Sequence, residues 1–428
     1  MKNETAAAFL RRHRMHYEEM PLTELRAAYR REMEAALAGE PSSLYMLPSW
    51  IRADAEPRRE ERVLVIDAGG TNLRAGLAHF DARGHVVVDA IKKRRMPGAG
   101  DEEVTAAEML RQIAAFALEY AAECRHACIS FSYICDILPG GDGRIVRLCK
   151  ELRVRGAEGT LVCQGIENAL RELGAPGHRS WKLINDSVGS LLGGMAGCDR
   201  EKYADFIGFI LGTGTNTCCR LAAEEDRRDG EVRALGGDII FNMESGCFDK
   251  LVRGTADREL DAASELPGDH LAEKMISGSY YRQVLQRTLQ LAAREGRLSA
   301  ATGQRLNRIR IKSQHVDAFC LDPQGSNLIA DALADADERT FAAELNALLL
   351  ERAARVAAAC LAAVIEKRAL TAGSRVCVCA DGTMLRLNPV LRPRMEAALR
   401  ELCPEIAVDF LFAEDASLLG CAWAGLTE

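Results

Sequence analysis

In the stretch VLVIDAGGTNLRAGLA, residues 63–78, an apolar run ends in Asp67 and is followed by Gly69, Gly70, Thr71, Asn72 and Arg74. Paired glycines carry no side chain, so backbone N–H groups there can approach phosphate oxygens closely. Thr71 adds a hydroxyl and Asn72 an amide. A carboxylate at Asp67 repels phosphate unless a cation lies between them. Mg²⁺, held by one or two carboxylates through its waters while it bridges phosphates, resolves this. Arg74 can neutralise further charge. No Lys-Ser/Thr follows the glycines and no G-x-G-x-x-G is present, so this is neither a Walker loop nor a dinucleotide fingerprint. The same residues also suit an ordinary hairpin turn.

Four other stretches carry chemistry. In KLINDSVGSLLGG, residues 182–194, a strand delivers Asn185 and Asp186 to its C-terminal end, where α/β sheets bind ligands. Asp186 can act as a general base and Asn185 can hydrogen-bond a hydroxyl; Asp is equally a favoured helix cap. FILGTGTNTCCRLA, residues 209–222, offers a second small-residue loop at Gly212, Thr213 and Gly214, with Asn216 just beyond. In FNMESGCF, residues 241–248, Glu244 sits among apolar residues and needs partners. Sugar hydroxyls, which donate short charge-assisted bonds to carboxylates, are one choice, and a structural ion pair is the other. CADGTMLRLNP, residues 379–389, places Asp381, Gly382 and Thr383 in a turn that can be plain or can touch phosphate at a helix start.

These groups need elements to hold them. Residues 21–38 have helical periodicity with Pro21 near the start, and residues 39–60 read as loop. Strands follow at RVLVIDAGG, NLRAGLAHFD and GHVVVDAIKKRR, the first two joined by a tight hairpin. AAEMLRQIAAFALEYAAEC is a helix, ACISFSYIC a buried strand, GTLVCQGIENALRELG a helix, and SWKLINDSVGSLLGGMAG a strand followed by a helix. Residues 257–370 are mainly helical; RVCVCADG is a strand, a helix begins near Pro389, EIAVDFLF is a strand, and an Ala/Gly helix follows. Strands alternating with long helices mean α/β layers. VIDAGGTNLRAGLA and FILGTGTNTCCRLA share one plan of strand, small-residue turn and strand, which implies a duplicated fold with one turn from each half facing a cleft.

Composition narrows the classes. The chain has 428 residues, 48% hydrophobic and 27% charged, enough for two or three domains with real cores. A net charge of −7 argues against a nucleic-acid partner, and the run Lys92-Lys93-Arg94-Arg95 reads as solvated surface. The 15 cysteines form no matched C-x-x-C pairs, so they read as buried free thiols of a reducing compartment rather than a zinc framework. No secretory signal and no membrane-length apolar run are read, and the expected location is cytoplasmic.

Taken in order, the motifs resemble those of the hexokinases, of the eukaryotic hexokinase–glucokinase type. The similarity runs from MLPSW (46–50) to the last helix through DAGGTNLR, FSYIC, INDSVG, GTGTN, NMESGCF, AEKMISGSYY and ADGTMLRLNP. It implies an α/β, two-domain actin-like (ribonuclease H-like, duplicated) fold with a cleft between a small and a large domain. The implied divisions are an N-terminal helical segment 1–60 on the large domain, a small domain 61–185 rejoined by a C-terminal helix 416–428, and a large domain 186–415. The implied reaction is transfer of the γ-phosphoryl of Mg·ATP to the 6-hydroxyl of a hexose, glucose first among the candidates, then mannose or fructose. Asp186 is then the base. Ser132, Lys150, Asn185, Asn216, Glu244 and Glu273 would hold the sugar. Asp67, Gly69, Gly70, Thr71, Asn72, Arg74, Gly212, Thr213, Gly214, Asp381, Gly382 and Thr383 would hold ATP. Mg²⁺ would ride on ATP near Asp67 and Asp186 through water, with no direct protein ligand. The resemblance also implies closure of the two domains around the sugar, which keeps water from taking the phosphoryl group.

The chain departs from the pattern at three places. F-S-[FY]-P becomes Phe131-Ser132-Tyr133-Ile134, which loosens the sugar loop. Trp-Thr-Lys becomes Leu148-Cys149-Lys150, and a thiol in place of a hydroxyl contact costs about 0.5–1.5 kcal/mol of binding. The terminal Gly-Ser-Gly-[KR]-Gly-Ala-Ala becomes ASLLGCAWAG, residues 416–425, which alters a nucleotide contact. A non-catalytic sugar sensor on the same fold, or an actin- or chaperone-like ATPase, are the readings from other classes. Neither the preferred hexose nor the oligomeric state is legible from sequence.

Overall fold

A computed structural model describes residues 4–100, 103–148 and 152–427. Its two main sheets follow one plan. In the first, the strands run Val86–Arg95, Asn72–Phe80, Val63–Ala68, His126–Phe131, Ser180–Ile184 from edge to edge. In the second they run Asp238–Asn242, Thr215–Ala222, Asp205–Leu211, Arg375–Asp381, Ala407–Leu411. In both, the chain makes three antiparallel strands from the middle outward, then adds two parallel strands on the other side. The echo between the two small-residue turns is therefore an echo of whole sheets. The expected two-domain α/β fold is the observed one.

The second sheet gains one strand, Leu47–Arg52, antiparallel to Asp238–Asn242. This corrects the reading of residues 39–60 as loop. Pro48 and a register shift interrupt the alternation that would mark a strand, and the pairing partner lies far along the chain. The expected single strand ACISFSYIC is two, His126–Phe131 and Ile134–Ile137, broken at Ser132 and Tyr133. The helix expected from Pro389 begins at Leu391, and a short one, Thr383–Leu387, precedes it. The basic run lies on the exposed edge strand Val86–Arg95, where charge discourages pairing with another chain.

Helices cover both sheets. The long helix Ala336–Lys367, capped by Asp335 accepting from the Glu338 N–H at 3.0 Å, is Ala-rich and buried over residues 356–365. Helix Leu22–Ala38 packs in the same core. At the far end of the long helix, Arg368 donates to Asp205 at 2.8 Å and to Asp238 at 2.7 Å, tying it to the second sheet. Every described cysteine is a free thiol and most are buried.

The two helices that follow the fifth strand of each sheet are exchanged. Asp186–Ala196 leaves the first sheet and packs on the second, while Ala416–Leu426 leaves the second and packs on the first. They cross between the sheets in a core that joins Val63, Val65 and Cys128 to Phe206, Cys218 and Cys377. Small residues make the crossing possible. A Cβ on Gly193 would stand 2.1 Å from the Ala416 carbonyl oxygen, and one on Gly420 would stand 2.1 Å from that of Gly189. The departure ASLLGCAWAG thus keeps glycine where the other helix presses closest. Gly420→Ala is expected to destabilise the fold by about 1–3 kcal/mol, because backbone must move to admit the methyl. Urea unfolding at neutral pH measures this.

Candidate functional site

The site is built at strand ends. Ala68, Phe131 and Ile184 end parallel strands of the first sheet and lead into Gly69, Ser132 and Asn185. Leu211 and Asp381 do the same in the second, leading into Gly212 and Gly382. The first hairpin turn closes with Gly69 N–H donating to the Asn72 carbonyl at 3.0 Å, and the second with Gly212 N–H donating to that of Gly214 at 2.9 Å. Thr71, Asn72 and Thr213 are exposed on the turns, with Gly70 half-exposed. Gly382, at φ +116°, lies against Gly212: a Cβ there would stand 2.2 Å from the Leu211 carbonyl oxygen. The second hairpin and the Asp-Gly-Thr turn therefore form one surface. The Gly278 N–H adds to it by donating to the Gly212 carbonyl at 2.7 Å.

Asp186 opens helix Asp186–Ala196, but it is Asn185 that caps the helix, its side-chain oxygen accepting from the Ser187 N–H at 2.9 Å. The Asn185 side chain thus takes the cap, while the Asp186 carboxylate is engaged by Ser132 and by the Ser187 N–H. The surrounding protein pushes Asp186 up to about 6; Ser132 hydrogen-bonds it and opposes the rise, while the charges of Asp67 and Asp381 add to it. Asp67 is itself held above its ordinary value by burial, against the pull of Arg74. The charges of Asp67 and Asp381 act on Asp186, and that of Asp381 acts on Asp67, so the three carboxylates share one electrostatic site. An oxygen-only set of mutually repelling carboxylates is the donor chemistry that a hydrated Mg²⁺ fits.

Arg74 is more committed than sequence suggests. Its Nε and Nη2 donate to Asp67 Oδ2 at 2.9 and 2.7 Å, Nη2 also to Ser417 at 2.9 Å, and Nη1 to Asp415. The guanidinium bridges the first hairpin to the start of helix Ala416–Leu426, and its charge is offset by two carboxylates.

A chain of amides runs across the cleft floor. Asn216 donates to Asn185 at 3.2 Å and to Asn242 at 2.8 Å, and Asn242 donates to Glu244 at 2.7 Å. Asn242, which links Asn216 to Glu244, is the member of this chain that sequence reasoning missed, although N-x-E at a strand end was there to see. Glu244 is 8% exposed, and among the described residues it forms no ion pair. Burial pushes it up to about 7; hydrogen bonds from Asn242 and Asn216 oppose this and the Asp186 charge adds to it. Its backbone is left-handed, φ 52°, a strained setting for a non-glycine residue that aims the carboxylate. Glu273, on helix Leu271–Ile276, accepts from the Thr215 N–H at 3.1 Å and so stands beside the second hairpin. Cys149 and Lys150 lie outside the described residues.

Beside Thr383 opens a groove of about 210 Å³, lined by Gly278, Tyr281, Arg282, Ser313, Asp317, Met384 and Asn388 among others. Sequence reasoning found only its Thr383 edge, because the rest comes from helices far apart in the chain. No helix among the described residues is long and apolar enough to cross a membrane.

Family models described as hexokinase match residues 9–196 and 206–427. The chain is 28% identical over 439 residues to hexokinase-3 of Homo sapiens, covering 98% of this chain and 46% of that protein. It is 28% identical over 433 residues to hexokinase-2 of Homo sapiens, covering 94% and 46%. It thus spans about half the length of the curated relatives it matches. Hexokinase from Schistosoma mansoni, solved in complex with glucose, superposes with a TM-score of 0.78 at 20% identity, covering 99% of this chain and all of that one.

Proposed function

We propose, from the chain's membership in the hexokinase family, that it is a hexose kinase, moving the γ-phosphoryl group of ATP to the 6-hydroxyl of a hexose, with glucose the first candidate. The observation that carries the reading is Asp186, a carboxylate at a strand end beside Ser132 that feels the charges of Asp67 and Asp381 and is pushed up to about 6 by burial. A carboxylate tuned toward neutral pH is a stronger base than an ordinary aspartate yet is about nine-tenths ionised at pH 7.

In this reading Asp186 accepts the 6-hydroxyl proton as that oxygen attacks phosphorus, and Ser132 keeps the carboxylate oriented. Asn185, Asn216, Asn242, Glu244 and Glu273 hold the ring hydroxyls, joined by Ser132 and, by the family's motif, Lys150. The amide chain fixes the direction of each side-chain dipole before sugar arrives, which lowers the ordering cost of binding. Gly69, Gly70, Thr71, Asn72, Gly212, Thr213, Gly214, Gly382 and Thr383 cradle phosphates with N–H and hydroxyl groups. The groove beside Thr383 takes the nucleoside. Asp67, with Asp186 and Asp381 nearby, would hold Mg²⁺ through water, and the ion supplies neutralisation of phosphate charge. Arg74 acts through Asp67 and Ser417, fixing the first hairpin to the last helix.

A coupled ADP-release assay tests this with glucose, mannose, fructose, glucosamine and N-acetylated hexosamines against ATP, GTP and ADP. Hexose-dependent turnover with ATP is expected. No turnover with any pair, together with thermal stabilisation by a hexose, would replace the reading with a sugar sensor.

A further inference from the structure

On the rim of the cleft, outside the residues assigned above, Cys247, Asp269 and His270 bring a thiol, a carboxylate and an imidazole within 4.8 Å of one another. They come from two segments. Cys247 lies in the turn after Glu244, and Asp269 and His270 lie just before helix Leu271–Ile276. The Ala272 N–H donates to the Phe248 carbonyl at 3.1 Å, so the spacing between the segments is set by backbone. Cys247 is buried, and His270 Nδ1 stands 2.9 Å from Asp269 Oδ1.

We propose that Cys247, Asp269 and His270 form a binding site for a borderline-soft divalent cation, Zn²⁺ in particular, separate from any ion carried by a nucleotide. The donor set decides the ion: sulfur, nitrogen and oxygen ligands suit Zn²⁺, whereas Mg²⁺ and Ca²⁺ take oxygen. Three protein ligands leave the fourth tetrahedral position to water. Ligand atoms around tetrahedral zinc stand roughly 3.3–3.8 Å apart, from bonds of about 2.0–2.3 Å. Separations as long as 4.8 Å therefore have to shorten by roughly 1.0–1.5 Å, and the 2.9 Å Asp269–His270 pair has to open by about half an ångström, both within the reach of side-chain rotation. The local field favours a cation: Glu244, Asp269 and Glu273 act on Cys247, and Arg147 offsets them only in part. On binding, the thiol gives up its proton to solvent and the sulfur becomes a thiolate ligand.

Arg147 also supplies a competitor. It is ion-paired with Asp269 and belongs to the hairpin Ile134–Ile137/Gly143–Arg147 of the first half, so this pair spans from one half to the other. Arg147 contacts Asp269 Oδ2 and His270 stands at Oδ1, so a metal on Oδ1 shares the carboxylate's charge with Arg147. Metal binding and this tie between the halves then weaken one another.

Titration of the intact chain with Co²⁺, followed by Zn²⁺ competition against a chelating dye, tests the site without sugar or nucleotide. The outcome is thus independent of the phosphotransferase reading. One equivalent of Co²⁺ should give a thiolate charge-transfer band, and Cys247→Ser should abolish it. His270→Gln should weaken Zn²⁺ binding by on the order of tenfold or more. Arg147→Ala should strengthen it, a gain that misfolding does not produce. Absence of the band, its survival in Cys247→Ser, or Zn²⁺ affinity unchanged in both His270→Gln and Arg147→Ala would overturn the proposal.

Discussion

With Asp186 replaced by Ala, hexose-dependent ADP release falls by on the order of 10²–10⁴-fold, the usual cost of removing a general base. Hexose still raises the melting temperature of the variant, because Asn216, Asn242 and Glu244 remain to bind it. That split between turnover and binding distinguishes loss of a base from loss of the fold. In the parent protein, kcat/KM falls as pH drops through about 6, where Asp186 takes up its proton. Turnover of the Ala variant within a few-fold of the parent would remove Asp186 from the chemistry.

Glu244→Gln has opposite effects on stability and on binding. The carboxyl of Glu244 is raised to about 7 in the folded chain, so its ionisation works against folding. Stability from this group is fully present below the ordinary glutamate range and is lost as pH rises through about 7. The Gln variant, whose amide oxygen can still accept from Asn242, escapes this loss. Without sugar it should be more stable than the parent by on the order of 3 kcal/mol above pH 7, and no more stable near pH 4. Thermal melts at the two pH values measure the difference. The same change removes a charge-assisted partner for sugar hydroxyls, worth about 1.5–3 kcal/mol, so KM for hexose should rise roughly 10–150-fold. A variant that neither gains stability nor loses sugar affinity would return Glu244 to a structural role.

Much of the cleft was readable because its chemistry is local. Asp67-Ala68-Gly69-Gly70 and Leu211-Gly212-Thr213-Gly214 each hold strand end and turn within a few residues, so pattern and geometry coincide. Asp186 was readable as a site but ambiguous as a cap, and only the Asn185–Ser187 hydrogen bond divides the two roles. What stayed hidden depends on distant partners. The strand Leu47–Arg52 exists through pairing with Asp238–Asn242, and its own alternation is broken by Pro48. Arg74 turns toward Asp415 and Ser417, whose nearness no spacing along the chain encodes. The groove beside Thr383 gathers Tyr281, Asp317 and Asn388 from separate segments, and Cys247 nears His270 through a backbone bond from helix Leu271–Ile276 to Phe248.

The exchanged helices bear on how the chain can be made. Strands Val63–Ala68 and His126–Phe131 precede residues 185–415 in the chain, yet the helix that covers one of their faces, Ala416–Leu426, is translated only after them. Until then Val63, Val65 and Cys128 have no permanent cover, and the early half must wait as a partly wet sheet. Completion of the first half's core thus waits on a helix translated long after its strands. A stalled or prematurely ended chain would expose an apolar face that a chaperone would have to shield.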